Sequence, residues 1–172
     1  MDFFRKSTTW LIMAGLVTPL SPALAQTSGQ FTLAGSFAYS YEQIQHGGTT
    51  FTGGSLEGGA TIVSSGQGSL FPEGQNFLQS CVVFSEESAR GLDLKGPCTL
   101  TETKEYGEDR LFFISIRKQG GLGDASSGGT GRMNLVGGTG KYAGITGQCS
   151  YETQYLTAST LVTTAECAWR QP

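Results

Sequence analysis

The sequence predicts an all-β domain, an eight-stranded antiparallel barrel, and three observations carry that prediction. Large and small residues alternate with period two in the clearest segment, the mark of a half-buried strand. Glycine supplies 26 of the 172 residues while charged residues supply only 15%, and no long segment repeats at the helical period. Aromatic residues recur throughout the chain beyond residue 26, which a low-complexity disordered segment would lack.

The N-terminus is read separately. Arg5 and Lys6 precede an apolar stretch from Trp10 to Val17, and Ala23-Leu24-Ala25 stands before Gln26. A charged start, a short apolar run and a small-x-small site describe a secretory signal peptide over residues 1–25. The apolar run is well short of the roughly 20 residues that a bilayer demands. Residues 26–172 then form one β-barrel domain of 147 residues, long enough to bury a core. The expected location is secreted or periplasmic, with no membrane span after cleavage. Cleavage would take the net charge from −3 to −4; without a basic run, neither nucleic acid nor anionic lipid is an expected partner.

Strand candidates follow in order. From Phe31 to Tyr41 the odd positions hold Phe31, Leu33, Gly35, Phe37, Tyr39 and Tyr41, with smaller or polar residues between them. Phe51 to Val63 is a glycine-rich second strand whose glycines suggest bulges or bends. Phe77 to Ser85, Pro97 to Lys104 and Arg110 to Lys118 come next, the last being the most hydrophobic. A flexible loop spans Gly120 to Gly129, and strands resume at Gly131 to Val136, Gln148 to Thr157 and Thr160 to Trp169. Eight short strands with hairpin-length links favour a closed up-and-down barrel, which leaves no bare sheet edge. A two-sheet β-sandwich is the alternative.

Four cysteines, Cys81, Cys98, Cys149 and Cys167, admit three pairings, and hairpin symmetry selects one. Residues opposed in a hairpin lie equally far from its turn, within disulfide range of each other. The midpoint of Cys149 and Cys167 falls on Ala158, and that of Cys81 and Cys98 falls between Ala89 and Arg90. Both are turn-like, so the expected bridges are Cys81–Cys98 and Cys149–Cys167. No metal or cofactor is implied: C-x-x-C spacing is missing, and the single histidine, His46, adjoins Gly47-Gly48 as a solvated turn residue.

Gly128-Gly129-Thr130-Gly131-Arg132 is echoed by Gly137-Gly138-Thr139-Gly140-Lys141, which suggests two similar turns. The second copy is no dinucleotide fingerprint, because a strand follows it where a helix N-terminus would have to meet the pyrophosphate. The whole segment from Val136 to Gly147, with Gly137, Gly138, Gly140, Gly144 and Gly147 as its turn residues, resembles the glycine-rich turn of the dirigent proteins and allene oxide cyclases. Tyr41-Glu42-Gln43-Ile44 resembles their early strand. The resemblance implies an exported eight-stranded barrel with an apolar cavity, commonly assembled as a homo-oligomer. In the cyclases an acid and a nearby asparagine position the substrate; here Ile44 stands where that asparagine is sought.

Glu42 is the candidate catalytic residue. Turned inward, it would be desolvated and suited to general acid–base work; its parity, shared with Ser36 and Ser40, places it on the polar side. Phe37, Tyr39, Tyr41, Tyr151 and Tyr155 are the candidate ligand-binding residues, suited to a cavity that grips an apolar or aromatic molecule or to a solid core. Arg117 and Arg132 are candidates for holding a carboxylate or phenolate, although solvated surface charge is the expected state for each, with Asp109 and Asp124 in loops. The run Glu102, Lys104, Glu105, Glu108, Asp109, Arg110 reads as a wet hairpin end.

The function expected on these grounds is an exported barrel that binds a small hydrophobic or phenolic molecule without catalysis. The alternative is an isomerase or cyclase, or a dirigent-type protein guiding cyclisation or coupling of a lipid or phenolic intermediate. An outer-membrane pore is disfavoured, because outward parities rich in Ser, Thr and Gly make no lipid-facing band.

Overall fold

The computed structural model describes residues 27–66, 69–123, 125 and 127–172; the expected signal peptide, residues 1–25, and Asp124 lie outside the described residues. Eight antiparallel strands follow in chain order: β1 (Thr27–His46), β2 (Thr49–Ser65), β3 (Asn76–Ser88), β4 (Gly91–Glu102), β5 (Arg110–Arg117), β6 (Gly128–Gly138), β7 (Thr146–Tyr155) and β8 (Thr160–Gln171). Each pairs with its neighbours, and β1 also pairs with β8, from Thr27↔Gln171 to Ala38↔Thr160. That last ladder closes the sheet into a barrel and rules out the sandwich. Each strand thereby has a partner on both sides, although β1 runs past Ala38 paired with β2 alone.

Alternation along the strands builds the interior. On β3 and β4 inward residues are buried and outward ones are mostly exposed, the two-residue period written into the pleat. Leu111, Phe113, Ile62, Phe77 and Leu161 are among the core side chains with almost no exposure, each worth about 1.5–3 kcal/mol of burial. Both expected disulfides are present, and both cross-link directly opposed residues inside the barrel: Cys81↔Cys98 and Cys149↔Cys167. Two such bonds fit folding in an oxidising compartment.

Four local readings change. First, β4 starts at Gly91 and carries Pro97 within it; the β3–β4 ladder skips Gly96 and Pro97, as a residue without an N–H requires. Second, the irregularity in β2 is not at its glycines. It falls at Val63, left over where Thr32↔Ser64 gives way to Leu33↔Ile62. The inward Gly54 and Gly58 do different work: an added Cβ would come within 2.8 Å of the Tyr41 and Phe37 rings respectively, so they let those rings lie flat on the sheet. Third, the two glycine copies are not equivalent, because Gly128-Gly129-Thr130-Gly131-Arg132 opens strand β6 and makes no turn. Fourth, Glu102 is not wet.

Glu102 belongs to the closed end of the barrel, where the β2–β3 connection folds inward and plugs it. Phe71 is fully buried there, with its ring 4.1 Å from Phe31, 5.2 Å from Tyr142 and 5.5 Å from Trp169. Gln75 and Tyr142, also without exposure, both donate to Glu102 Oε1, the tyrosine at 2.6 Å. Lys141 Nζ lies 2.6 Å from the same oxygen. Glu102 is 1% exposed; pairing and hydrogen bonding are what make a buried carboxylate tolerable.

The glycine-rich segment explains how Tyr142 gets there. Val136 is an extra residue in β6, since Phe112↔Gly137 is followed by Phe113↔Leu135, and the resulting bulge bends the strand. A one-turn 3-10 helix, η1 (Gly140–Tyr142), then crosses the barrel end. Gly140 has φ +50° and packs against Asp109, whose carboxylate accepts the Lys141 N–H at 3.1 Å. At Gly138 a Cβ would lie 2.3 Å from the Arg110 carbonyl oxygen and 2.5 Å from Tyr142 Cβ. No side chain fits there, and the close approach is what seats the tyrosine.

Candidate functional site

The opposite end of the barrel carries the β1–β2, β3–β4, β5–β6 and β7–β8 connections, and it is built differently. Its inward residues leave a cavity of about 60 Å³, room for about four waters at ~15 Å³ each. Its lining is mixed: Leu56, Val83, Leu94, Phe113, Met133, Leu161 and the Cys81–Cys98 bridge are apolar, while Tyr41, Gln79, Arg117, Tyr151, Thr153 and Tyr155 bring polar groups among them.

Arg117 is the unexpected member. It ends β5 with the same parity as Leu111, Phe113 and Ser115, and so points inward; it is 2% exposed. The strand opposite makes room for it. A Cβ on Gly129 would lie 3.1 Å from Arg117 Cδ, and one on Gly131 would lie 2.6 Å from the Tyr151 ring. Nη2 donates to the Gly121 carbonyl at 2.7 Å and to the Tyr155 hydroxyl at 3.4 Å, and the guanidinium lies 5.8 Å from the centre of the Tyr155 ring. Nε has no hydrogen-bond partner. Among the described residues no carboxylate pairs with it, and none lines the cavity.

Two of the phenols around it, Tyr41 and Tyr151, stay neutral. Burial first, then the adjacent Tyr155 hydroxyl, pushes Tyr41 far above the usual phenol value of 10.0. Burial raises Tyr151 as well, partly offset by a hydrogen bond with Ser115 and by the Arg117 charge. At neutral pH the wall therefore presents O–H groups and one cation. Tyr142, at the closed end, is raised in the same direction by burial and by Glu102.

An alkaline transition follows from these shifts. A phenol whose folded value lies above its unfolded value keeps its proton in the fold after the unfolded chain has lost its own, so stability present below pH 10 falls as pH rises further. The loss is up to about 1.4 kcal/mol per pH unit for each such tyrosine. Absorbance at 295 nm, followed with circular dichroism, should show the phenolate signal of Tyr41, Tyr142 and Tyr151 arriving together with unfolding. A separate phenolate wave near pH 10 from all three, in a protein still folded, would contradict the burial.

The remaining sequence candidates are placed as follows. Tyr41, Tyr151 and Tyr155 line the cavity. Tyr39 does not, being buried beside it with its ring 4.7 Å from Tyr41 and 5.0 Å from Tyr155. Its hydroxyl, 2.8 Å from the Gly123 carbonyl and 3.0 Å from that of Thr157, ties the β5–β6 and β7–β8 connections together. Phe37 is core packing. Glu42 is exposed on the outer face, opposite Gly53 of β2, and is not part of the cavity wall. Arg132 is exposed, as is His46 at the end of β1.

Comparison with protein-family models, curated proteins and solved structures finds no match for this chain.

Proposed function

We propose that this protein is an exported barrel that binds a small hydrophobic or phenolic molecule in its interior and does no chemistry on it. The observation that carries the reading is the cavity itself. An interior lined by the disulfide and aliphatic groups, with a few phenol, amide and hydroxyl groups among them, has the composition of a ligand pocket, and at about 60 Å³ it is sized for a very small guest. Export is supported by the two disulfides and by the signal-like pattern of residues 1–25. Kinship with the dirigent and allene oxide cyclase barrels is part of the proposal, supported by the closed eight-stranded sheet and the turn from Val136 to Gly147.

A binding role in water, not a span of lipid, is supported by the outer face. Glu57, Lys95, Arg132, Glu152 and Glu166 are exposed there on five strands, where a lipid-facing band would carry apolar residues.

The test uses neutral probes. Toluene and phenol, titrated into the labelled protein, should shift the Met133 methyl and the Tyr41 and Tyr151 ring resonances. Met133→Trp, which fills the wall, should abolish the shifts. Absence of any shift at millimolar probe would overturn the reading.

A further inference from the structure

We propose that the molecule held in the barrel is a small carboxylate with a compact apolar body, its carboxylate anchored by Arg117. The inference rests on the interior being a ligand site and adds the charge and chemical class of the ligand. Its starting point is an imbalance. A guanidinium 2% exposed has lost most of its hydration, a loss of several kcal/mol for an ion taken into a protein interior unless a counter-charge restores it. Arg117 has a backbone carbonyl and one phenol hydroxyl, its Nε is unpartnered, and no described carboxylate pairs with it. Glu102, the other buried charge among the described residues, also keeps one unpartnered atom, Oε2, but unlike Arg117 it has a counter-charge: Lys141 joins Gln75 and Tyr142 on its Oε1.

The surroundings favour an anion over any other guest. Buried phenols that resist ionisation at Tyr41 and Tyr151 keep their O–H groups, and Ser115 lines the same space. Among the described residues the cavity wall holds one fixed positive charge and no negative one. Between the anions an arginine takes well, a carboxylate fits better than a phenolate. Carboxylates are ionised at neutral pH, whereas phenols are largely not, and the planar guanidinium offers paired N–H groups that match two carboxylate oxygens. The aliphatic groups and the disulfide then meet the rest of the molecule. With about 60 Å³ available, that body is compact.

The experiment compares two acids with their own amides, isobutyrate with isobutyramide and benzoate with benzamide, by calorimetry or resonance shifts on the disulfide-intact protein. Shape is held nearly constant within each pair and only the charge changes. The expected result is that at least one acid binds about tenfold or more tightly than its amide. That preference should vanish in Arg117→Met and weaken in Arg117→Lys, which keeps the charge but loses the paired donors. Acid binding to the unaltered protein should also decline as pH falls through the ligand's pKa of roughly 4–5, while amide binding stays level. This arm needs no variant, so the proposal stays testable if Arg117→Met fails to fold.

Equal affinity of both acids and their amides overturns the carboxylate proposal while leaving the cavity a neutral binding site. A preference that survives in folded Arg117→Met overturns it too, since the charge would then be read elsewhere. Failure of acids, amides, toluene and phenol alike overturns the binding function itself.

Discussion

Phe71→Ala should lower the unfolding free energy by about 3–5 kcal/mol, the range for deleting a fully buried phenylalanine, and the melting temperature by on the order of 10 °C. The reason is geometric. The plug is a loop, so no ladder hydrogen bond holds the ring in place; what it contributes is contact with Phe31, Tyr142 and Trp169. Removing it opens the closed end over Glu102, Gln75 and Tyr142, whose mutual hydrogen bonds are strong because water is excluded. Phe71→Leu, which keeps most of the volume, should lose far less. Near-ultraviolet circular dichroism on heating, with both variants, measures the difference. A loss below 1 kcal/mol for the alanine variant would mean that the loop does not pack as a plug. Probe binding at the far end should survive in Phe71→Ala, because none of the plug residues borders that cavity.

Replacing Cys149 and Cys167 together by alanine should cost about 3 kcal/mol, chiefly by freeing the unfolded chain from a closed loop of that size. The sequence separation is 18 residues, against 17 for Cys81–Cys98, so the two bridges should stabilise to nearly the same extent. Their effects on the ligand site should differ. Cys81 and Cys98 form part of the cavity wall, and Cys149 and Cys167 do not. Denaturant midpoints for the two double variants, with toluene binding measured in parallel, should show similar losses of stability and a loss of affinity only for the Cys81, Cys98 pair. Equal damage to binding in both would count against the placement of the cavity.

The frame of this barrel was legible because it depends on local and symmetric patterns. Alternation at Phe31, Leu33, Phe37 and Tyr39 gives one face of β1, and the midpoints between cysteines give two hairpin registers without any distant information. The site was less legible for a specific reason. In Leu111-Phe112-Phe113-Ile114-Ser115-Ile116 both parities are apolar, so periodicity does not reveal which face is inside, and Arg117 inherits that ambiguity. The signal that resolves it lies across the sheet: Gly131 is its register partner and Gly129 leaves its stem room, visible only once strands β5 and β6 are aligned. Glu102 was hidden among other charges, although it shares parity with Leu94, Cys98 and Leu100 and is buried with them. Phe71 obeys no period at all, since a plug is placed by tertiary packing. The resemblance in the turn from Val136 to Gly147 pointed to a conformation, and its physical content is the seating of Tyr142.

The ladder between β1 and β8 joins the most distant parts of the described chain, while each of the other seven joins strands adjacent in sequence. Closure is therefore the pairing with the largest loop entropy to overcome, whereas each of the others closes a short hairpin loop. Linking Gln171 directly to Thr27 and opening the chain between Ala89 and Arg90 would turn that long-range seam into a simple hairpin, and would leave the interior and its arginine in the same ring of strands.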